Sequence, residues 1–259
     1  MNVKGPMPEQ AEARRTYDAF AASYDDFTHQ YMYERWTGRL LGKAEAAGLQ
    51  GRRLLDVGCG TGLSFIAMLP RGFQVTGCDI SPEMLERARE KVGEEVSLVV
   101  ADMRELPTLG EFDLVWAVND AMNYLLSVEE FEAALAGMRR NLAPGGIVVF
   151  DVNTLTAFRS FWNGDLMVEH GGKSFKWSGK GSPSGIAPGA IFEARVEGEG
   201  EGVEAHVHRQ RHFSEAEVLA AIEAAGLRCV EVAGELEGDL EPGLDEERHT
   251  KVVYVCSAA

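Results

Sequence analysis

The chain has 259 residues, 45% of them apolar and 25% charged, a composition that supports a packed core and argues against disorder or a fibrous repeat. Its formal net charge is -16 at pH 7, which repels a phosphate backbone, and the basic clusters Arg52-Arg53, Arg139-Arg140 and Arg209 to Arg211 read as solvated ends of helices or strands, so no nucleic-acid partner is expected. Met1 to Gln10 lacks the apolar stretch of a signal peptide and no later run reaches the span of a bilayer, so no membrane association is expected and the location is expected to be cytoplasmic.

In chain order, Tyr17, Phe20 and Tyr24 fall on one helical face and Trp36, Leu40 and Ala44 on another, predicting two N-terminal helices. From Arg52 onward, β-rich runs alternate with helical patterns: LLDV, then a helix after Gly62; FQVTGCD, then a helix from Pro82 capped by Ser81; VSLVVAD; FDLVWAV; and GIVVFDV after the turn Pro144-Gly145-Gly146. Ser127 with Glu130, and Ser214 with Glu217, have capping-box spacing. Such alternation predicts an α/β fold with a parallel sheet covered on both faces. Between Leu155 and Phe213 the pattern becomes glycine-rich and strand-like, which predicts an antiparallel β insertion with a hairpin turn at Gly198 to Gly202. A helix from Ser214 to Ala225 and strands near Leu227 to Val232 and Lys251 to Cys256 then complete a seven-stranded sheet, with Glu235 to Glu247 as a solvated acidic loop. Cys59, Cys78, Cys229 and Cys256 have no paired spacing and read as reduced, buried thiols.

The chemistry concentrates in LLDVGCGTG, where Asp56, Gly58, Gly60 and Gly62 occupy the turn from the first strand into its helix. A dinucleotide fingerprint needs a glycine at the sixth position from Gly58, which is Leu63 here, so the loop suits a nucleoside without a pyrophosphate. Asp56, Asp79 and Asp102 recur every 23 residues, one strand-plus-helix unit apart, at the C-terminal edge where open α/β sheets bind ligands. Asp79 is placed to accept from ribose hydroxyls, Asp102 from an exocyclic amine, and Ile80 and Met103 offer apolar faces to an adenine ring.

LLDVGCGTG, GCDISPEML and ADMRELP resemble the successive motifs of class I S-adenosylmethionine-dependent methyltransferases, over about Arg52 to Asp151. YDAFAASYDDF is similar to the lid helix of small-molecule members, and NDAMNYL with the β insertion resembles bacterial sugar N,N-dimethyltransferases. The resemblance implies a Rossmann-like, mostly parallel seven-stranded sheet with a lid at residues 1–48, a core at 49–154 and 214–259, and the β insertion at 155–213. It implies S-adenosyl-L-methionine as cofactor, held by Tyr17 and Tyr24 of the lid, by Gly58, Cys59 and Gly60 at the methionine part, by Asp79 at the ribose, by Asp102 and Met103 at adenine, and by Ala117 to Asn119 on the reactive side.

Methyl transfer from a sulfonium is an in-line displacement that chiefly needs alignment and exclusion of water, with a proton acceptor beside the attacking atom. Asp120, Asn123 and Tyr124 follow the fourth strand, and Asp151 and Asn153 end the fifth; Asp120 is the first choice of proton acceptor, Asn123 serves either the pocket or the loop backbone, and Tyr24 of the lid is the third catalytic candidate. Tyr17, Tyr24, Tyr33 and Trp36 form either an aromatic roof over the sulfonium or, for Tyr33 and Trp36, helix packing. His206, His208 and His212 share a strand face on an insertion expected to be exposed, without a carboxylate at fixed spacing, so no metal is expected, and one of them could act as base. The expected partner is a small-molecule acceptor methylated on nitrogen, oxygen or carbon, and an edge of the insertion could make a homodimer. A nicotinamide-dependent oxidoreductase and a non-catalytic binding module are the alternatives.

Overall fold

The computed structural model describes residues 8–259, with residues 8–11 as backbone alone; most of Met1 to Gln10 lies outside that range. Three helices come first, α1 (Pro8–Phe20), α2 (Tyr24–Phe27) and α3 (Tyr33–Ala46). The sequence predicts two; the chain turns at residues 21–23, so Tyr24 opens a separate short helix. β1 (Arg53–Val57), α4 (Leu63–Ile66), β2 (Gln74–Asp79), α5 (Pro82–Val92), β3 (Ser97–Val100), β4 (Phe112–Ala117), α6 (Val128–Arg140) and β5 (Leu142–Asn153) follow. Helix α7 (Leu155–Ala157) leads into β6 (Asp165–His170), β7 (Lys173–Gly181), β8 (Ile191–Glu199) and β9 (His206–Arg211). Then come α8 (Glu215–Ala224), β10 (Leu227–Leu236), β11 (Asp239–Pro242) and β12 (Lys251–Ala258).

The central sheet has eight strands in the order β11-β10-β12-β5-β4-β1-β2-β3, parallel from β5 to β3 and antiparallel beyond. Strand order reverses beside β1, with β2 on one side and β4 on the other, which opens a crevice at the C-terminal strand ends. The eighth strand is β11, lying within the acidic stretch expected as a loop. Asp239 pairs with Arg39 and Arg35, and Glu241 with Arg248, so the edge carries its charges neutralised. At β5 the glycine-proline turn interrupts the strand instead of preceding it: Gly145 takes φ 76° and the register with β4 slips between Phe112 and Leu114.

Successive residues of the inner strands serve opposite faces, as a sheet covered on both sides requires. Leu55, Val115, Val148, Phe150 and Tyr254 pack with Phe131 and Leu135 of α6 and Ile222 of α8. Leu54, Leu114, Trp116, Val149 and Val253 pack with Leu40 and Leu41 of α3 and Leu85 of α5. Helix starts follow the caps: Ser81 Oγ accepts from the Met84 amide, and Ser214 and Glu217 form the full reciprocal box. At α6 only half the box forms, because the Glu130 carboxylate accepts from the Leu126 amide and pairs with Arg104.

A second, four-stranded antiparallel sheet, β6-β7-β8-β9, forms from the insertion. Phe20 and Phe27 of the N-terminal helices join Phe158, Trp162, Phe175, Trp177 and Phe192 in a third core between helix and sheet. Among the described residues, no helix is long and apolar enough to cross a membrane.

Phe150 is fully buried, stacked on Tyr254 at 5.2 Å between centroids and edge-on to Phe131 at 5.8 Å. Phe150→Ala is expected to destabilise the fold by about 3–5 kcal/mol in urea unfolding, and a loss below about 1 kcal/mol would show that this face of the sheet is not the main core.

Candidate active site

The loop from β1 into α4 turns on three glycines with positive φ, Gly58 (74°), Gly60 (52°) and Gly62 (87°). The Gly58 and Cys59 amides donate to the Cys78 carbonyl at 2.8 and 3.0 Å, fixing the loop to β2. A Cβ on Gly58 would press on Ala121 and Met103 at 3.2 and 3.4 Å, whereas one on Gly60 would meet nothing within 4 Å. Bare backbone therefore faces a cleft, as close approach of a ligand requires.

Asp79 closes this cradle. Its oxygens accept from the Gly60 amide at 2.8 Å and the Ser81 amide at 2.9 Å, leaving further lone pairs for the cleft. Burial pushes its pKa up to about 6, against the pull of the amides of Ser81, Gly60 and Ile80. Asp56 sits beneath the loop, fully buried, accepting from Ser64 Oγ; burial lifts it to about 7. Asp102 reaches the cleft with its carboxylate clasped by Arg104, Nε at 2.9 Å and Nη2 at 2.8 Å.

Tyr17, Tyr24 and Tyr33 cover the cleft, with the Tyr24 and Tyr33 hydroxyls 2.8 Å apart. The cover is tied down where Ser81 Oγ donates to Asp18 at 2.7 Å, Thr61 Oγ donates to Asp25 at 2.6 Å, and Lys91 pairs with Asp25. Beside Tyr17, with ring centroids 5.2 Å apart, Tyr124 also lines the cleft, its hydroxyl 2.7 Å from Nδ1 of His208. Burial, with neighbouring His206, holds His208 well below the usual histidine range, so its ring is neutral, and burial holds the Tyr124 phenol protonated.

The expected cofactor residues Tyr17, Tyr24, Gly58, Cys59, Gly60, Asp79, Ile80, Asp102, Met103 and Asn119 all line one cleft. Asp56 and Ala117 do not: both are fully buried, the first under the loop and the second in the β4 core. Asp120, the first choice of proton acceptor, has both oxygens engaged, by Lys251 Nζ at 2.6 Å and Gln210 Nε2 at 2.6 Å. Asn123 is fully buried and holds backbone, donating to the Arg211 carbonyl at 2.9 Å and accepting from the Asn153 amide at 2.8 Å. Trp36 points its indole N–H at Asp151, 3.1 Å away, so of the expected roof only the tyrosines face the cleft. The histidines expected on an exposed face are buried, His206 8%, His208 2% and His212 1% exposed, and His212 Nε2 lies 3.2 Å from Glu246, a carboxylate partner that sequence spacing did not reveal.

Residues 54–146 match the family described as a methyltransferase domain. The dTDP-3-amino-3,4,6-trideoxy-alpha-D-glucopyranose N,N-dimethyltransferase of Streptomyces venezuelae is 30% identical over 184 residues, covering 70% of this chain and 77% of that protein. The chain belongs to the class I S-adenosylmethionine-dependent methyltransferases. Relatives named as methyltransferases in Bacillus subtilis (strain 168) and Geobacillus sp. (strain WCH70) are 36% and 34% identical, and the match spans 53% and 54% of this chain but only 56% and 58% of theirs. An S-adenosylmethionine-dependent methyltransferase from Clostridium acetobutylicum ATCC 824 shares the fold with a TM-score of 0.77 at 19% identity, covering 93% of this chain and 98% of that one. An amino pentose methyltransferase from Micromonospora echinaspora, solved with S-adenosylmethionine bound, gives 0.68 at 26% identity over 93% and 96%. Neither a nicotinamide-dependent oxidoreductase nor a non-catalytic module is favoured by these likenesses.

The residues of this chain fit the family's cofactor: the bare glycine backbone admits a ligand, and Asp79 presents a carboxylate beside it. Thr61, Leu63, Ser64, Arg104, Ala121 and Leu125 also line the cleft and escaped the sequence reading, although each lies within five residues of a residue it named or quoted.

Asp79 is ionised above a pH of about 6 and protonated below it, so affinity for S-adenosylhomocysteine should fall by about tenfold between about pH 7.5 and pH 5, and Asp79→Asn should bind more weakly with a flatter profile. Calorimetry across that range checks this; equal affinity and equal pH dependence in wild type and variant would remove Asp79 from the site.

Proposed function

We propose that the protein transfers the methyl group of S-adenosylmethionine to an amine nitrogen of a small polar molecule. The observation that carries this reading is the Tyr124 hydroxyl in the cleft wall, 2.7 Å from the buried neutral ring of His208. With the His208 proton on Nε2, Tyr124 donates to Nδ1 and turns its oxygen lone pairs to the cleft, where an acceptor N–H can be oriented. When bound, S-adenosylmethionine supplies an electrophilic methyl group on a sulfonium. The proton released as the nitrogen is alkylated is lost to solvent as the product leaves, while His208, held neutral, keeps the Tyr124 hydroxyl turned to orient the acceptor nitrogen.

Gly58, Cys59, Gly60 and Asp79 would hold the nucleoside and methionine parts, Ile80 and Met103 would offer apolar contact to the base, and Asp102 would accept from its amine while remaining paired with Arg104. Tyr17, Tyr24 and Tyr33 would exclude water and offer their rings to the sulfonium. Asp120 and Asn123, first considered for the chemistry, act as scaffold. In this reading residues 1–48 are the lid, 49–154 and 214–259 the core, and 155–213 the insertion that helps set the acceptor. Support for an amine acceptor comes from the sugar N,N-dimethyltransferase and amino pentose methyltransferase likenesses. The four free cysteines suit a cytoplasmic setting. The edge strand β6, with Leu166 and Met167 exposed, is the surface through which a homodimer would form.

Transfer of labelled methyl to a panel of amino-sugar nucleotides and their hydroxyl analogues tests the reading. Amines should be methylated in preference, and Tyr124→Phe and His208→Asn should each lower kcat about ten- to a hundredfold while leaving S-adenosylhomocysteine affinity unchanged. Preference for the hydroxyl analogues, or full activity in both variants, would overturn it.

A further inference from the structure

Immediately after β4 the chain does something costly: Asn119 and Asp120 both take left-handed backbone torsions, φ 59° and 56°, with no glycine to ease them. Two such residues in succession persist only when their surroundings hold them. The hold comes from Asp151, fully buried at the end of β5. One of its oxygens accepts from the Asn119 amide at 2.9 Å and from Trp36 Nε1 at 3.1 Å; the other accepts from the Asp120 amide at 2.6 Å. The turn so fixed carries Asn119 and Ala121 into the cleft wall.

This arrangement puts two carboxylates, Asp120 and Asp151, side by side. Among the described residues the one cation within 4 Å of either is Lys251, 2.6 Å from Asp120 and 3.5 Å from Asp151. Lys251 comes from β12, opposite Asn153 of β5 in the antiparallel pairing, a hundred residues away in sequence from Asp151. Burial pulls the pKa of this ammonium down, but Asp120 and Asp151 outweigh it and hold the pKa above the usual lysine value. Gln210 of β9 donates to the remaining Asp120 oxygen at 2.6 Å and accepts from Asn153 at 2.9 Å, so the insertion sheet shares the same network.

We infer that Lys251 is a positioning residue: by bridging Asp120 and Asp151 and offsetting one of their two negative charges it holds the left-handed Asn119–Asp120 turn in the shape that forms the cleft wall beside the methyl to be transferred. The inference rests on the methyltransferase reading for the word methyl, but the positioning itself is independent of any acceptor. It also explains why the cleft offers an acceptor no free carboxylate at Asp120, leaving Tyr124 and His208 to meet a neutral nitrogen.

The test uses S-adenosylhomocysteine binding by calorimetry on the whole protein, a readout that needs no methyl acceptor and so fails separately from the proposed function. Lys251→Met leaves the buried Asp151 and the half-buried Asp120 without their counter-charge and should weaken binding by about tenfold or more. Adding Asp120→Asn removes the charge the lysine neutralised and should restore affinity to within about threefold of wild type, a rescue that mere loss of packing cannot produce. Lys251→Met with affinity within twofold of wild type, or a double variant no better than the single, overturns the inference. Should Lys251→Met alone fail to fold, the double variant decides: regained folding and binding support the positioning role, and a double variant that also fails to fold rejects it.

Discussion

The constraint on which the site depends is the cost of keeping carboxylates away from water at the C-terminal edge of a packed parallel sheet. Asp56 and Asp151 are fully buried and Asp79 nearly so. Each is held by donors that belong to other parts of the fold, Ser64 for the first, turn amides and Trp36 for the second, glycine-loop and cap amides for the third. A buried carboxylate without such donors would be prohibitively unfavourable. The loops around the cleft therefore cannot relax independently of the strands, and a shape suited to a nucleoside exists before any ligand arrives.

The same logic explains which parts were readable from residues. Strand ends marked by Asp56, Asp79 and Asp102 and a loop marked by glycines are local features, and their periodic spacing projects them onto one edge. Asp120 is the opposite case. Its local context, a polar residue just after β4, is right for chemistry, but its partners come from β9 and β12, 90 and 131 residues further along. No periodicity carries such information. Lys251 at the start of a strand and Gln210 among histidines carry no local mark of their partners for the same reason, and Trp36, open in the sequence to a roof or a packing role, has its indole taken by Asp151.

The strand count and the lid show a second limit of sequence. β11 holds together because Arg35, Arg39 and Arg248 sit opposite its acids, so a stretch whose composition says loop can still pair at a sheet edge. The N-terminal aromatics read as an amphipathic helix, yet what they pack against is the insertion: Phe27 lies 5.6 Å from Phe175, and Phe20 stands 4.4 Å from His206. Thr16 Oγ donates to the Val207 carbonyl, and Lys173 pairs with Asp26, adding polar ties between the same two parts.

Because the N-terminal helices and the four-stranded sheet own one aromatic interior in common, neither can swing aside as a hinged flap without wetting Phe20 and Phe27. On the proposed function, exit of spent nucleoside would then need a concerted excursion of both parts relative to the central sheet, or a brief melting of the first helix. Either route would tie release to the cohesion of this shared aromatic interior, to which Phe175 belongs although it does not line the cleft.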